Sequence, residues 1–270
     1  RCGRRREPLS MGGPARPVVL ALAGLDPCAG AGLTADVRTI ASCGGRPVGV
    51  PTCLTVQNRH GFVEAWPVPV DRLLRMADAA LADGPVAAIK IGLLVDVATI
   101  DSLAAWLEDL GAQRPRVVVD PVLSATAGGG PAAAKAVARG LVDVLAPYVD
   151  LFTPNLPELV QLGGVERIGS RMGDRGALLV TGGHADGEDV VDRLHHLGSE
   201  LDFVNARLDL GPVHGTGCAL SSAAATLLGR GLGIEAACEG AIRVVRSFLE
   251  RTAPSVDGLP VPLAIESQAG

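Results

Sequence analysis

VVLALA, residues 18–23, is a short apolar run that stops at Gly24 and opens into the loop GLDPCAGAG (24–32), ahead of a helical pattern over Leu33 to Ser42. A run without polar alternation suits a strand buried on both faces, the condition of a parallel sheet covered by helices. The signal returns at AAIKIGLL (87–94) and VVVD (117–120), with an amphipathic helix over Val97 to Leu110 between them. A Gly-rich loop at Gly128 to Gly130 leads into a helix over Ala132 to Leu145. Two further strands follow, LFT (151–153) and ALLVT (177–181). Strand and helix alternate as βαβ units do, which predicts a three-layer α/β fold with a mostly parallel central sheet and helices on both faces. The last third carries a hairpin around Val190 to Leu210, a glycine-bounded loop from Gly211 to Gly217, and helices over Cys218 to Leu228 and Ile234 to Arg251. The expected organisation is an N-terminal extension over 1–17, one domain over 18–254, and an irregular tail over 255–270.

Composition narrows what such a domain can do. Hydrophobic residues make up 48% of the chain but aromatic residues only 3%, so the core must be built from Ala, Val and Leu. A net charge of −5 offers no attraction to a nucleic-acid backbone or an anionic membrane surface. No apolar run approaches the roughly 20 residues that span a bilayer. The basic segment RCGRRREPLS before Met11 lacks a signal core, so cytoplasmic residence is expected. That segment is either upstream of the true start or a disordered basic tail, and neither assigns it a function. The six cysteines (Cys2, Cys28, Cys43, Cys53, Cys218, Cys238) show no CxxC spacing, and the histidines show no metal-ligand pattern. Any metal must be held by carboxylates.

The strongest chemical feature is HGTGCALSSAAATLLG (214–229), two glycines around Thr216 at the start of a helix of small residues. Unpaired N–H groups and the helix dipole favour an anion at such an end, and glycine lets that anion approach the backbone. The same pattern also describes a plain tight turn before a packed helix. Cys218 in the first turn is a candidate proton acceptor, because a helix N-terminus can lower a thiol's pKa from about 8.5. The alternative is an inert buried cysteine. Four other segments end predicted strands, where open α/β sheets bind ligands: GLDPCAGAG, DPV (120–122), TPNLPE (153–158) and TGGH (181–184). Asp120 and Glu158 among them could hold hydrated Mg²⁺ against nucleotide phosphates. Read singly, Asp120 before proline is a turn former and Glu158 a first-turn helix residue.

Taken in order, GLDPCAGAGLTAD, TCLTVQN, KIGLL, DPV, TPNLPE, GGH and HGTGC resemble the signature blocks of the hydroxymethylpyrimidine and phosphomethylpyrimidine kinases of thiamine biosynthesis, members of the ribokinase-like superfamily. The match runs from Val18 to Arg251. The resemblance implies a ribokinase-like fold and ATP-dependent phosphorylation of the pyrimidine's hydroxymethyl group. It also implies a second phosphorylation of the monophosphate to the diphosphate, in one site. It implies that Gly24, Asp26, Ala31, Thr55, Gln57, Leu93 and Val122 form the substrate pocket, with Gln57 pairing to the aminopyrimidine edge. Gly215, Thr216 and Gly217 would form an anion hole, and Cys218 would accept the hydroxyl proton. Asp120 and Glu158 would hold Mg²⁺ largely through water, and Asn155, Thr181 and Gly183 would face the nucleotide. ATP, Mg²⁺, K⁺ as the candidate monovalent ion and a homodimer come with the same resemblance.

The departures are specific. Cys28 and Ala29 stand where Ser and Gly are common, Thr181 stands where Lys is frequent, and the stretch from Gly163 to Asp174 is short for the helix expected there. They keep two alternatives open, a pyridoxal kinase of the same superfamily and a non-catalytic pyrimidine-binding paralogue.

Overall fold

A computed structural model describes residues 16–123 and 130–265. Most of the expected N-terminal extension, Gly128 and Gly129 of the glycine-rich loop, and the last five residues lie outside that range. Among the described residues nine strands form one sheet: β1 (Val18–Leu25), β2 (Arg46–Asn58), β3 (Gly61–Pro67), β4 (Ala88–Ile91), β5 (Arg116–Val119), β6 (Leu151–Phe152), β7 (Ala177–Val180), β8 (Asp189–His196) and β9 (Ser199–Ala206). The spatial order is β3-β2-β1-β4-β5-β6-β7-β8-β9. The run from β2 to β7 is parallel, while β3 at one margin and β8 with β9 at the other are antiparallel.

Successive strand residues face opposite ways, and the two faces differ in size. Leu20, Leu22, Ile89, Ile91, Val117 and Val119 pack under α2 (Val70–Ala82), α3 (Val97–Asp109) and α4 (Gly130–Gly140). The other face offers Ala21, Ala23, Ala88 and Val118, and against it lie α1 (Gly32–Ser42), α7 (Thr216–Gly229) and α8 (Ile234–Arg251). Between them in sequence fall α5 (Leu156–Leu162) and the five-residue α6 (Val165–Gly169), which is all the helix that the short stretch after Gly163 supplies. Small strand residues meet Ala223, Ala224 and Ala225, so α7 lies close to the sheet and is buried along most of its length. Its N-terminus is thereby brought to the carboxyl ends of the strands.

Two features depart from the sequence reading. β2 and β3 form a hairpin whose first strand contains Pro47, Gly49 and Pro51, residues that hide a strand from its sequence pattern. The tail beyond Pro254, expected to be irregular, instead supplies β11 (Val261–Pro262). This pairs in parallel with β10 (Val213–His214), immediately before α7.

Lys90 is fully buried in the middle of β4. Its Nζ lies 2.8 Å from both carboxylate oxygens of Asp36 on α1, itself fully buried. Ser222 on α7 donates to Asp36 Oδ1 at 2.9 Å. Burial alone would favour a neutral lysine, but the Asp36 charge outweighs it and holds Lys90 well above the ordinary value. Removing one partner would strand a buried charge. Lys90→Met should therefore destabilise the fold by about 3–5 kcal/mol, read from the urea midpoint. Lys90→Met combined with Asp36→Leu should recover most of that loss, because an apolar replacement of a whole buried pair is close to neutral.

Candidate active site

A cavity of about 630 Å³ opens at the carboxyl ends of β5, β6 and β7, walled on the opposite side by the first turn of α7. Asp120, Glu158 and Asn155 line it from the sheet side, and Gly215, Thr216 and Cys218 from the helix side. Thr181 and Gly183 lie on its wall, as do Val122 and Ala31.

The α7 end is built for close approach. Gly215 adopts φ +94°, and a Cβ there would fall 2.1 Å from the Gly30 carbonyl oxygen, so only glycine lets this turn rest on the loop after β1. Gly32 has the same role one step back, at φ +57°, where a Cβ would fall 2.3 Å from the Gly24 carbonyl oxygen. No side chain caps α7, which leaves its first-turn N–H groups facing a cavity rather than a protein acceptor. That arrangement can hold an anion.

The carboxylates across from it are under electrostatic load. Asp120 is 5% exposed and accepts from the Ser221 hydroxyl at 3.3 Å. Burial pushes its carboxyl up to about 7; Lys90 pulls the other way, and Glu158 and Asp36 add to the rise. Glu158 is also raised by burial. Its Oε2 accepts from the Asn155 N–H at 3.0 Å, and its Oε1 from the Leu123 N–H at 3.1 Å. The Asn155 side chain returns a bond from the Glu158 N–H at 2.9 Å, completing a capping box at the start of α5. TPNLPE is therefore both a helix start and a tie to the DPV turn, where Val122 takes φ +43°, a strained value for a β-branched residue.

A divalent cation fits this pair. Two carboxylates raised by burial, with mutual repulsion at Asp120, gain from a nearby positive charge. Both oxygens of Glu158 already accept backbone N–H groups, so contact through water suits it better than direct ligation. Among the described residues no group of three or more His, Cys, Asp or Glu is placed to hold a metal ion. The remaining ligands of Mg²⁺ would be phosphate oxygens and water, its usual habit beside a nucleotide.

Cys218 corrects the expectation of a lowered pKa. The thiol is 8% exposed and packs with Ala35, Phe248, Leu263 and Ile265, and burial pushes it up to about 12. Lys90 and the Gly32 N–H favour the thiolate, but Asp36 and Asp120 oppose it. The helix N-terminus does not overcome desolvation.

The residues expected to form the substrate pocket divide into two groups. Ala31 and Val122 line the cavity, whereas Gly24, Thr55, Gln57 and Leu93 cluster beside it at the ends of β1, β2 and β4. A Cβ on Gly24 would fall 3.0 Å from the Leu93 side chain; Thr55 donates to the Leu25 carbonyl at 2.8 Å, and Gln57 Nε2 to Thr55 Oγ1 at 3.1 Å. Asp26 is spent on its own loop. It accepts from the N–H groups of Cys28, Gly30 and Ala31 at 2.8, 3.1 and 2.9 Å, and His214 Nε2 lies 3.6 Å away. Burial alone would raise its pKa, yet the His214 contact and these backbone donors bring it below the ordinary value.

Other site residues have weaker sequence signals. Lys90 is signalled by a charge inside the apolar run AIKI, which demands a buried partner. His214, Asp192, Arg207 and Arg246 line the cavity from β8 to α8 without any local pattern that marks them. Arg207 donates to the carbonyls of Gly187, Gly183 and Ala185 at 2.9, 3.0 and 2.5 Å, and so fixes the TGGH loop from just beyond the end of β9.

An open α/β sheet with an uncapped helix end facing two carboxylates across one cavity fits a ribokinase-like kinase scaffold. A family described as phosphomethylpyrimidine kinase matches residues 26–261, and the chain belongs to that family. It is 34% identical over 255 residues to the hydroxymethylpyrimidine/phosphomethylpyrimidine kinase of Streptomyces coelicolor, covering 90% of this chain and 92% of that one. A hydroxymethylpyrimidine/phosphomethylpyrimidine kinase of Saccharomyces cerevisiae is 35% identical over 255 residues, covering 86% of this chain and 45% of its own. The thiamine biosynthesis multifunctional protein of Corynebacterium efficiens is 35% identical over 252 residues, covering 87% and 33%. The chain thus spans between a third and a half of these last two relatives. Among solved structures, the phosphomethylpyrimidine kinase of Clostridium difficile superposes with a TM-score of 0.70 at 27% identity, over 87% of this chain and all of that one. The Staphylococcus aureus pyridoxal kinase bound to ADP has a TM-score of 0.79 at 24% identity, over 95% and 96%, a likeness of fold.

The raised Asp120 carboxyl has a consequence for stability. Between the unfolded value near 3.8 and about 7, the folded chain keeps a proton that the unfolded chain has lost, so stability falls as pH rises through that window. Asp120→Asn removes the penalty. In the ligand-free protein it should raise Tm by a few degrees at about pH 8 and by less at about pH 5, measured by thermal unfolding in chelator.

Proposed function

We propose that this protein is an ATP-dependent kinase that phosphorylates hydroxymethylpyrimidine and then its monophosphate, giving the diphosphate used in thiamine assembly. The observation that carries the reading is the uncapped first turn of α7 facing Asp120 and Glu158 across one cavity, in a chain of the phosphomethylpyrimidine kinase family.

In this reading the acceptor lies over the ends of β1 and β2. Gln57 already donates to Thr55, and its carbonyl oxygen accepts from the exocyclic amine of the pyrimidine. Gly24, Leu93, Ala31 and Val122 shape the pocket, while Asp26 acts through the loop it holds. Asn155, Thr181 and Gly183 contact the nucleotide. Mg²⁺, when bound beside Asp120 and Glu158, neutralises phosphate charge. The hydroxyl oxygen forms the new P–O bond as the bond from the γ-phosphorus to the bridging oxygen breaks. ADP leaves, and Gly215, Thr216 and Gly217 donate N–H groups to the charge that spreads over the transferring group. The hydroxyl proton passes to the thiolate form of Cys218, a small fraction of the thiol near neutrality that grows as pH rises. Thr181 leaves the nucleotide end without the lysine frequent there; Arg207 and Arg246 lie on the same wall, but Arg207 is engaged by three carbonyls and Arg246 by Glu250 and the Ala206 carbonyl.

The five described cysteines are free thiols, which suits residence in the cytoplasm. Exposed Leu54, Val56, Val63 and Trp66 on the β2–β3 hairpin support a homodimer, and light scattering checks it. No described helix is long and apolar enough to cross a membrane.

ATP-dependent mass gain on hydroxymethylpyrimidine and on its monophosphate tests the substrate assignment, with pyridoxal as the comparison. Transfer to pyridoxal alone would move the assignment to the pyridine. Withholding Mg²⁺ should abolish transfer. Cys218→Ala should lower kcat at least about a hundredfold with substrate binding still measurable, the signature of a lost proton acceptor. With the thiol held up to about 12, the native rate should keep climbing as pH rises above neutrality. A plateau from about pH 7 that survives Cys218→Ala would assign the proton to Asp120 instead.

A further inference from the structure

The β2–β3 turn is tied to the far end of the chain by one side chain. Arg59 Nε donates to the Pro260 carbonyl at 3.0 Å, and its Nη2 lies 2.9 Å from Asp257 Oδ1 and 3.5 Å from the Leu259 carbonyl. Asp257 Oδ1 also accepts from the Leu259 N–H at 3.1 Å, while the Ser255 hydroxyl donates to the Leu259 carbonyl at 2.7 Å, so the receiving segment is itself a closed turn. From there the chain runs alongside the strand that enters the anion-binding end of α7. The Val261 N–H donates to the Pro212 carbonyl at 3.0 Å, and the Leu263 N–H to the His214 carbonyl at 3.2 Å. Leu263 and Ile265 are buried against Cys218, and Arg38 on α1 anchors the Ile265 carbonyl at 2.8 Å.

These contacts close a circuit. Gln57 stands two residues before Arg59; Arg59 holds the strap; the strap holds His214; and His214 contacts Asp26, which shapes the loop after β1. We propose that Arg59 and the strap from Asp257 to Leu263 form a latch that fixes the acceptor-side hairpin and the phosphoryl-side turn in one geometry. Arg59 is then a positioning residue. Its ion pair is about half exposed on both sides, 45% and 45%, so it contributes little to global stability. Its contribution is local order, where a 1 Å misplacement between reacting groups is already costly.

The kinetic part of this inference rests on the proposed kinase activity, whereas the structural part does not. Amide exchange in the free full-length chain reads the latch whatever the substrate proves to be. Arg59→Ala should speed exchange at the Val261 and Leu263 amides about tenfold, the worth of one charge-assisted hydrogen bond, with the urea midpoint nearly unchanged. In the assay it should raise KM for the acceptor about fivefold and lower kcat, with KM for ATP within about twofold, a split that loss of folded protein does not produce. Arg59→Lys should fail to restore either, because an ammonium cannot span a carboxylate and two carbonyls as the guanidinium fork does. Unchanged exchange at Val261 and Leu263 would overturn the latch. So would faster exchange with native KM and kcat, or full rescue by lysine.

Discussion

The Lys90–Asp36 ion pair sits where β4, α1 and α7 meet, and the candidate site is assembled around that junction. A buried lysine is tolerable only beside its counter-charge, so the pair fixes how α1 lies on β4. Ser222 on α7 joins the same carboxylate, and Ser221 beside it reaches Asp120 at the end of β5. Space is tight around the pair: a Cβ on Gly92 would fall 2.8 Å from Lys90 Nζ. One buried charge pair thus sets the helix that supplies N–H donors against the strand that supplies a carboxylate. Its field also reaches both chemical groups, with Lys90 favouring ionised Asp120 and Cys218, although burial prevails at each.

Close approach of backbone to backbone is the second constraint. The alanine-rich face of the sheet lets α7 descend to it, and Gly215 and Gly32 let two turns rest directly on carbonyl oxygens. The result is a helix end held rigidly without a capping side chain. Asp26 organises the adjoining loop in the same spirit, its carboxylate accepting from three backbone donors and faced by His214.

The margins of the molecule complete what the parallel centre begins. The β2–β3 hairpin extends the sheet beyond β1 and brings Arg59 to a strap remote in sequence, while β8 and β9 extend it beyond β7 and bring Arg207 back to the loop that precedes them. Both arginines bind backbone carbonyls, which any residue supplies, so nothing local in the sequence announces the pairing.

The sequence by itself determined the layered α/β order, since uninterrupted apolar runs ended by glycine and alternating with amphipathic stretches have few other solutions. It also determined the placement of Asp120 and Glu158 at one edge, because chain direction in a parallel sheet puts every strand end on the same side, though the HGTGC turn joins them only through the packing of α7 on the alanine-rich face. It did not reveal β2, where prolines hide the strand pattern, nor the strap, whose two-residue pairing is too short to show periodicity. Only the tertiary structure decided the charge state of the groups at the edge. The Cys218 thiol is raised because Leu263, Ile265 and Phe248 exclude water from it. Desolvation depends on everything that surrounds a side chain, and neighbours brought together from the ends of the chain are not written next to it.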